Sequence, residues 1–353
     1  MKEQLILILP TRSTFMLLDE ELLKPDYRVR MVHLGQEGSK TQYLQVILRS
    51  LHVILRAREA RKVLVWFADY HAAAAVLLAG LTHKKSIVFI AGYDAVKYPE
   101  FRYGIYTSRL RGFCARFALK HCSLVVACHQ ALLSSSNTYY NPAGHPEGIQ
   151  NMVPGLKTPA SVLHFAVRDL EQTDLGRPRL RQILTVGTTP RFQDFYNKGY
   201  DLLVDVARRR TDLKFVFVGL RDCWMPDLNR LYGIDKLANV RIHPSLPHAD
   251  LLALMRSSAV YAQPSISEGM PNALMEAMHM GCVPVGSNVA GIPTVIGQHG
   301  FVFDKRDPQT LESALDQALN SDLDPRKISD SISARFNLQI RRAKLLQLLS
   351  DLD

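Results

Sequence analysis

The chain has 353 residues, more than one hydrophobic core comfortably serves, and so predicts two domains. Its 47% hydrophobic and 22% charged residues argue against disorder, and its longest apolar run, Ala72 to Leu81, is far too short to span a bilayer. The net charge of +10 is uneven: residues 1–170 carry 21 Lys and Arg against 12 Asp and Glu, whereas residues 171–353 carry 22 against 21. A basic surface suits nucleic acid, an anionic membrane or an anionic substrate. No nucleic-acid module is present, so a membrane surface or an anionic acceptor is preferred. The five cysteines form no C-x-x-C pair or metal-ligand cluster and read as reduced thiols. No signal peptide is apparent at Leu5–Leu9. A cytoplasmic protein, soluble or peripheral on the inner face of the membrane, is expected.

Residues 1–170 alternate between strand and helix patterns. Strands are expected at Gln4–Leu9, Tyr27–Leu34, Val63–Ala68, Ser86–Ile90 and Leu124–Cys128, and helices at Thr14–Leu23, Thr41–Ala60 and His71–Leu81. Continuous apolar strands separated by helices predict a parallel, doubly wound sheet, whose ligands bind beyond the carboxyl ends of the strands. WFADYH (Trp66 to His71) and IAGYDA (Ile90 to Ala95) occupy such ends. A mostly helical segment is expected over Phe101–His121, where Arg102, Arg109, Arg111, Arg116 and Lys120 alternate with aromatics. That mixture suits an anionic membrane interface, with a helix buried on its aromatic side and solvated on its basic side as the alternative. Ser134 to Pro159 reads as loop, and the domain linker is expected near Arg168 to Pro178.

The second domain opens with a strand, Ile183–Gly187, followed by Thr188, Thr189, Arg191 and NKGYDLLVDVA from Asn197. KFVFVG (Lys214–Gly219) and Val240–His243 are further strands. Then comes the most informative stretch, PSISEGMPNALMEAMHMGCVPVGSNVAGIP, from Pro264. A strand (Ala259–Gln263) leads through a loop with Glu268 and Gly269 into a helix expected to start at Pro271 and to stop at Gly281. Free amides and the positive dipole end make that helix start a natural phosphate site, and Glu276 lies one and a half turns inside it. Phe301–Asp304 reads as a strand, with helices over Pro308–Leu319 and Leu338–Leu352.

The frame S-E-G-M-P-N-A-L-M-E-A-M, continued by G-C-V-P-V-G-S-N-V-A-G-I-P, resembles the E-x7-E region of retaining family 4 glycosyltransferases of the GT-B fold. NKGYDLL resembles the K-G-x-D-x-L helix start of the same family. The resemblance covers residues 183–319 well and 1–130 loosely. It implies an α/β GT-B architecture of two Rossmann-like doubly wound domains facing a cleft: 1–170 for the acceptor and 171–335 for the nucleotide sugar, with a helix at 336–353 packing back on the first. It places Glu268 beside the donor sugar and Glu276 on the ribose hydroxyls, with backbone amides from Gly269 through Met270 and Pro271 to Asn272 toward the diphosphate. Lys198 becomes the cation that neutralises the diphosphate, and Gly187, Thr188 and Gly219 line the donor site. The family often has an arginine directly after the strand glycine, where this chain has Thr188; Arg191 is a substitute. On the acceptor side the resemblance points to Gly92 and Asp94, with Ala91 replacing a common histidine. His71 is a second candidate there, or a residue packed in the cleft wall. The first strand leads into Pro10–Thr14 instead of a glycine-rich turn.

The implied reaction is transfer of a sugar from a nucleotide-diphosphate sugar to a glycan or lipid-linked acceptor, with retention and without a cofactor. No D-x-D sequence lies in a suitable strand-end context, so no metal is expected. Glu268, Lys198 and Asp94 are the catalytic candidates. A sugar-nucleotide epimerase of the same architecture and a non-catalytic nucleotide-sugar-binding protein remain as alternatives.

Overall fold

The computed structural model describes residues 2–11, 13–33, 40–168 and 175–352. Arg12, Leu34 and much of the expected linker therefore lie outside the described residues. Contacts divide the chain into two compact units: Met1–Ser135 with Pro146–Ala166 and Leu338–Asp353, and Ser136–His145 with Val167–Asn337. Among the described residues no helix is long and apolar enough to cross a membrane.

The first unit runs β1 (Gln4–Leu9), α1 (Thr14–Leu23), β2 (Arg28–His33), α2 (Lys40–Arg56), β3 (Ala60–Trp66), α3 (Tyr70–Leu81), β4 (Lys85–Ile90), α4 (Arg109–His121) and β5 (Leu124–Ala127). Ser136–His145 belongs to the second unit; the short strands at its two ends, β6 (Ser135–Asn137) and β7 (His145–Glu147), pair with each other, and the first unit resumes with α5 (Ile149–Met152) and β8 (Ala160–Val162). The sheet is parallel with order β2-β1-β3-β4-β5-β8. All six residues of β1 are buried, which is why QLILIL shows no alternation. The chain moves one way from β1 to β2 and the other way thereafter. Right-handed crossovers then put α2, α3 and α4 together on one face of the sheet and α1 on the other.

The second unit runs β9 (Leu180–Val186), α6 (Gln193–Asn197), α7 (Tyr200–Arg209), β10 (Lys214–Val218), α8 (Met225–Tyr232), β11 (Val240–His243), α9 (His248–Ser257) and β12 (Ser258–Gln263). It continues through α10 (Asn272–His279), β13 (Val283–Ser287), α11 (Ile292–Ile296), β14 (Phe301–Phe303), α12 (Pro308–Leu319) and α13 (Pro325–Arg335). Its sheet has the order β11-β10-β9-β12-β13-β14, the dinucleotide-fold arrangement, again wholly parallel.

The last helix, α14 (Leu338–Ser350), belongs to the first unit and packs on α1. Its Leu338 lies against Leu18, Leu22 and Ala166. Arg341, 2% exposed, pairs with Asp19, 1% exposed, at 2.7 and 2.9 Å, and its remaining Nη atom donates to the carbonyls of Leu163 and His164.

The helix expected over Phe101–His121 is shorter than its composition suggests. It begins only after the Ser108 cap, whose Oγ accepts from the Arg111 N–H. Upstream, Tyr98 and Tyr103 form an antiparallel bridge. Gly104 has φ +94°, and a Cβ there would meet the Val96 carbonyl oxygen at 2.0 Å. Phe101–Thr107 is thus a packed turn with Phe101 and Tyr106 buried.

Candidate active site

In the second unit the direction of winding reverses between β9 and β12. Open α/β sheets bind ligands at such a point, beyond the carboxyl ends of the strands. Gly187 leaves β9 there, and the loop from Pro264 leaves β12 there. Gly199 has φ +69°, and a Cβ would stand 2.1 Å from the Pro264 carbonyl oxygen, so only glycine lets the approach to α7 lie against this loop. Two residues back, the Asn197 carbonyl accepts from the Ile266 N–H at 2.8 Å. These two close approaches deliver Lys198 to Glu268: Nζ donates to Oε1 at 2.6 Å, with the side chains 21% and 13% exposed. The same carboxylate oxygen accepts from Ser265 Oγ at 3.0 Å and Gln263 Nε2 at 3.1 Å.

The loop continues to Gly269, whose carbonyl accepts from the Gly291 N–H at 2.9 Å; a Cβ on Gly291 would sit 2.4 Å from that oxygen. The helix does not start at Pro271. Pro271 is extended (φ −77°, ψ 112°), and α10 begins at Asn272 without a side-chain cap. Proline also has no N–H, so Gly269–Asn272 presents three amides, those of Gly269, Met270 and Asn272. The first-turn amides of α10 have no intrahelical acceptor. Glu276 stands on this helix with His248 Nε2 3.4 Å from its Oε1. Burial raises the Glu276 pKa, and His248 opposes that rise.

Gly219 and Gly187 bring two strand exits together. Gly219 has φ +103°, and a Cβ there would lie 2.4 Å from the Gly187 carbonyl oxygen. Thr189 ties the two loops through Oγ1 to the Gly219 carbonyl at 3.1 Å, while Thr188 is exposed. Arg191 is less suited to the substitute role than its position suggests. Its guanidinium is already paired with Asp194, at 2.5 and 3.3 Å.

The first unit winds in opposite directions from β1, between β2 and β3, and a cavity of about 350 Å³ opens at that point. Pro10 and Thr11 beyond β1, and Phe67, Asp69, His71, Tyr93 and Asp94 beyond β3 and β4, are among its lining. Tyr43 and Arg111 reach it from α2 and α4. His71 is buried with both ring nitrogens engaged: Tyr43 Oη lies 2.6 Å from Nδ1, and Nε2 lies 2.7 Å from the Trp66 carbonyl. Because the carbonyl can only accept, Nε2 carries the proton and Nδ1 accepts from Tyr43. Burial lowers the His71 pKa, so the ring is a neutral clamp in the cavity wall.

Asp94, 1% exposed, accepts the N–H groups of Ala91 (3.0 Å), Gly92 (3.1 Å) and Ala68 (3.2 Å), and so joins the exits of β3 and β4. Burial pushes its carboxyl up to about 6, against those three bonds. The folded pKa lies above the ordinary value of 3.8, so the folded state holds the proton more tightly. Its stabilising effect is complete below pH 3.8 and is lost as the pH rises through about 6. The melting temperature of the wild type relative to Asp94→Asn is expected to fall across that interval. A difference that stays flat with pH would remove the burial argument.

Arg111 does not point to solvent. It grips Asp69 through Nε (3.1 Å) and Nη2 (2.6 Å) and reaches Tyr93 Oη at 3.3 Å. Arg116 donates to the Met152 carbonyl at 2.9 Å and lies over the Tyr106 ring. Of the four arginines expected at a membrane, these two therefore serve the interior of the unit, whereas Arg102 and Arg109 are exposed.

Residues 181–321 match the family model described as "Glycosyl transferases group 1". The second unit carries a group 1 glycosyl transferase domain. The serotype-specific mannosyltransferase WbdA of Escherichia coli is 33% identical over 73 residues, 21% of this chain and 9% of its own length. The gpi3 subunit of phosphatidylinositol N-acetylglucosaminyltransferase from Schizosaccharomyces pombe is 26% identical over 136 residues, 37% of this chain and 29% of its own. The chain thus matches less than a third of either relative's length. Over the whole chain, the structure of Anabaena HepE in complex with UDP-glucose superposes with a TM-score of 0.71 at 14% identity, covering 98% of this chain and 99% of that one. The two doubly wound parallel units are those of the GT-B fold.

Within the group 1 domain, several polar contacts were not singled out by sequence reasoning. Gln263 and Ser265 hold Glu268, and His248 approaches Glu276. Gln263 and Ser265 lie five and three residues before the glutamate and are legible as polar residues at a strand end. His248 is 28 positions from its partner, and only the packing of α9 on α10 unites them. The buried Ser267 Oγ and Asn197 Oδ1 have no hydrogen-bond partner in this same pair of loops.

Proposed function

We propose that the chain is a retaining, metal-independent family 4 glycosyltransferase that transfers a sugar from a nucleotide-diphosphate sugar to a glycan or lipid-linked acceptor. The observation that carries the reading is the Lys198–Glu268 contact at the winding reversal, beside the start of α10. One of the three ammonium N–H groups is held by Glu268, which fixes the charge in place and leaves two donors for phosphate oxygens. Together with the amides of Gly269, Met270 and Asn272, a fixed cation stabilises the negative charge that grows on the departing diphosphate. Glu276 holds the ribose, and Glu268 orients the sugar.

The acceptor occupies the first unit, at the cavity lined by Asp69, Arg111, Tyr43 and Tyr93. None of the acid-base candidates is placed as a free base: Glu268 accepts three donors, Asp94 accepts three amides, and both nitrogens of His71 are engaged. This supports attack from the face of the leaving group, with the departing phosphate taking the acceptor proton. The basic first unit supports work at the inner, cytoplasmic face of a membrane.

A panel of nucleotide sugars tests the reading through thermal stabilisation and slow hydrolysis of the donor. A nucleotide sugar that raises the melting temperature and is slowly hydrolysed is the expected result. No stabilisation by any member would sink it. Glu276→Ala is expected to weaken binding of the stabilising nucleotide by roughly 1.5–3 kcal/mol, about ten- to a hundredfold, through loss of charged hydrogen bonds. Calorimetry measures this, and unchanged affinity in the folded variant would remove the ribose assignment.

A further inference from the structure

Among the described residues eleven large apolar side chains are exposed, and seven of them lie on three consecutive helices of the first unit: Leu44, Leu48 and Leu55 on α2, Leu77 and Leu81 on α3, and Leu110 and Phe113 on α4. Spacings of four and eleven residues align the α2 leucines in one stripe. Spacings of four on α3 and three on α4 do the same there. α3 packs against both neighbours, and the winding of the sheet sets all three helices on one face. The stripes are therefore adjacent. Each is at least half exposed, from 53% at Leu77 to 70% at Leu81.

The charge on this face has one sign. α2, α3 and α4 together contain seven Lys and Arg and no Asp or Glu. Arg49, Arg56, Arg109 and Lys120 are exposed beside the stripes. The acids nearest in sequence are already matched, Glu59 facing Arg28 at 4.0 Å and Asp69 bound by Arg111. A protein partner of mixed charge has nothing here to pair with its own cations. An apolar centre with an all-cationic rim fits the interface of an anionic bilayer, where apolar groups enter the headgroup and acyl boundary and cations stay at phosphate level.

We propose that α2, α3 and α4 form one face that lies on an anionic lipid surface, with Leu44, Leu48, Leu77, Leu81, Leu110 and Phe113 inserted and the flanking cations on the headgroups. This deepens the membrane-side reading given above and replaces a purely electrostatic contact through the α4 arginines. Two of those arginines are engaged inside the unit.

The test is flotation of the full chain with phosphatidylcholine vesicles, with and without phosphatidylglycerol, at low and high salt. The wild type is expected to bind only the vesicles with phosphatidylglycerol and to keep part of that binding in high salt, because apolar insertion is not screened. Leu48→Ser, Leu81→Ser and Phe113→Ser combined are expected to reduce affinity at least about tenfold, since each removes a large side chain from the lipid. Arg49→Gln, Arg56→Gln, Arg109→Gln and Lys120→Gln combined should abolish the preference for phosphatidylglycerol. The melting temperature and stabilisation by a nucleotide sugar, read without vesicles, should be unchanged in both variants. Absence of wild-type binding overturns the proposal, as does serine-variant binding equal to wild type. A wild-type dimer that becomes monomeric in the serine variant, with no vesicle binding, assigns the face to a second copy. Loss of nucleotide-sugar stabilisation in the wild type counts against the transferase reading alone and leaves the lipid face standing.

Discussion

Replacing Lys198 with alanine is expected to lower single-turnover sugar transfer by about a hundredfold or more, the cost of removing one preorganised electrostatic contact from a transition state. The fold should persist. Glu268 keeps its bonds from Ser265 and Gln263, and the close approach of Gly199 to Pro264 does not involve the lysine side chain. Lys198→Arg should recover only part of the rate, because a planar fork does not reproduce a compact ammonium held at 2.6 Å from one oxygen. Measurement needs a donor chosen by thermal stabilisation and a melting curve for each variant. Near-normal turnover in a folded alanine variant would transfer the role to another cation. Arg191 is poorly placed for it, since Asp194 already neutralises its guanidinium.

The largest stability effect is expected at Arg341 in α14. Its guanidinium is bound through two nitrogens to Asp19 and through the third to two carbonyls, all with little or no access to solvent. Arg341→Met leaves a buried carboxylate without its cation, which costs about 3–5 kcal/mol. Denaturant unfolding of the first unit would show the loss. Asp19→Leu together with Arg341→Met should recover much of it, because a buried ion pair replaced on both sides by apolar groups loses little. A single variant as stable as wild type would mean that α14 does not depend on this pair.

Long elements of the fold were legible where the periodicity was long. β1 and α3 are continuous apolar runs, and α1 and α10 appear within a residue or so of their expected limits. Their burial is dictated by local composition, which the chain carries in one dimension. β6, β7, α5 and β8 have three or four residues each, too few to show a period; the first three fall in the stretch from Ser134 to Pro159 that read as loop, and β8 begins just after it. The helix expected from Phe101 failed for another reason. Its aromatics and arginines have helical spacing, yet Gly104 and the Tyr98–Tyr103 bridge turn the chain before Ser108.

For the candidate site, the sequence by itself determined the residue types and their local setting: a lysine before a glycine at a helix start, and two glutamates flanking a strand-to-helix loop. Those features are short in range and follow from capping and turn chemistry. Only the tertiary structure decided which charges meet. Lys198 and Glu268 are 70 residues apart, and they touch because β9 and β12 are neighbours at the point where the winding reverses. The same principle divided the basic helix α4. Its arginines look alike in sequence, but Arg111 faces Asp69 across the unit while Arg109 faces water, a difference set by helix phase and by a partner on another strand exit. Strand order and helix phase are three-dimensional quantities, and they select the pairs that local patterns leave open.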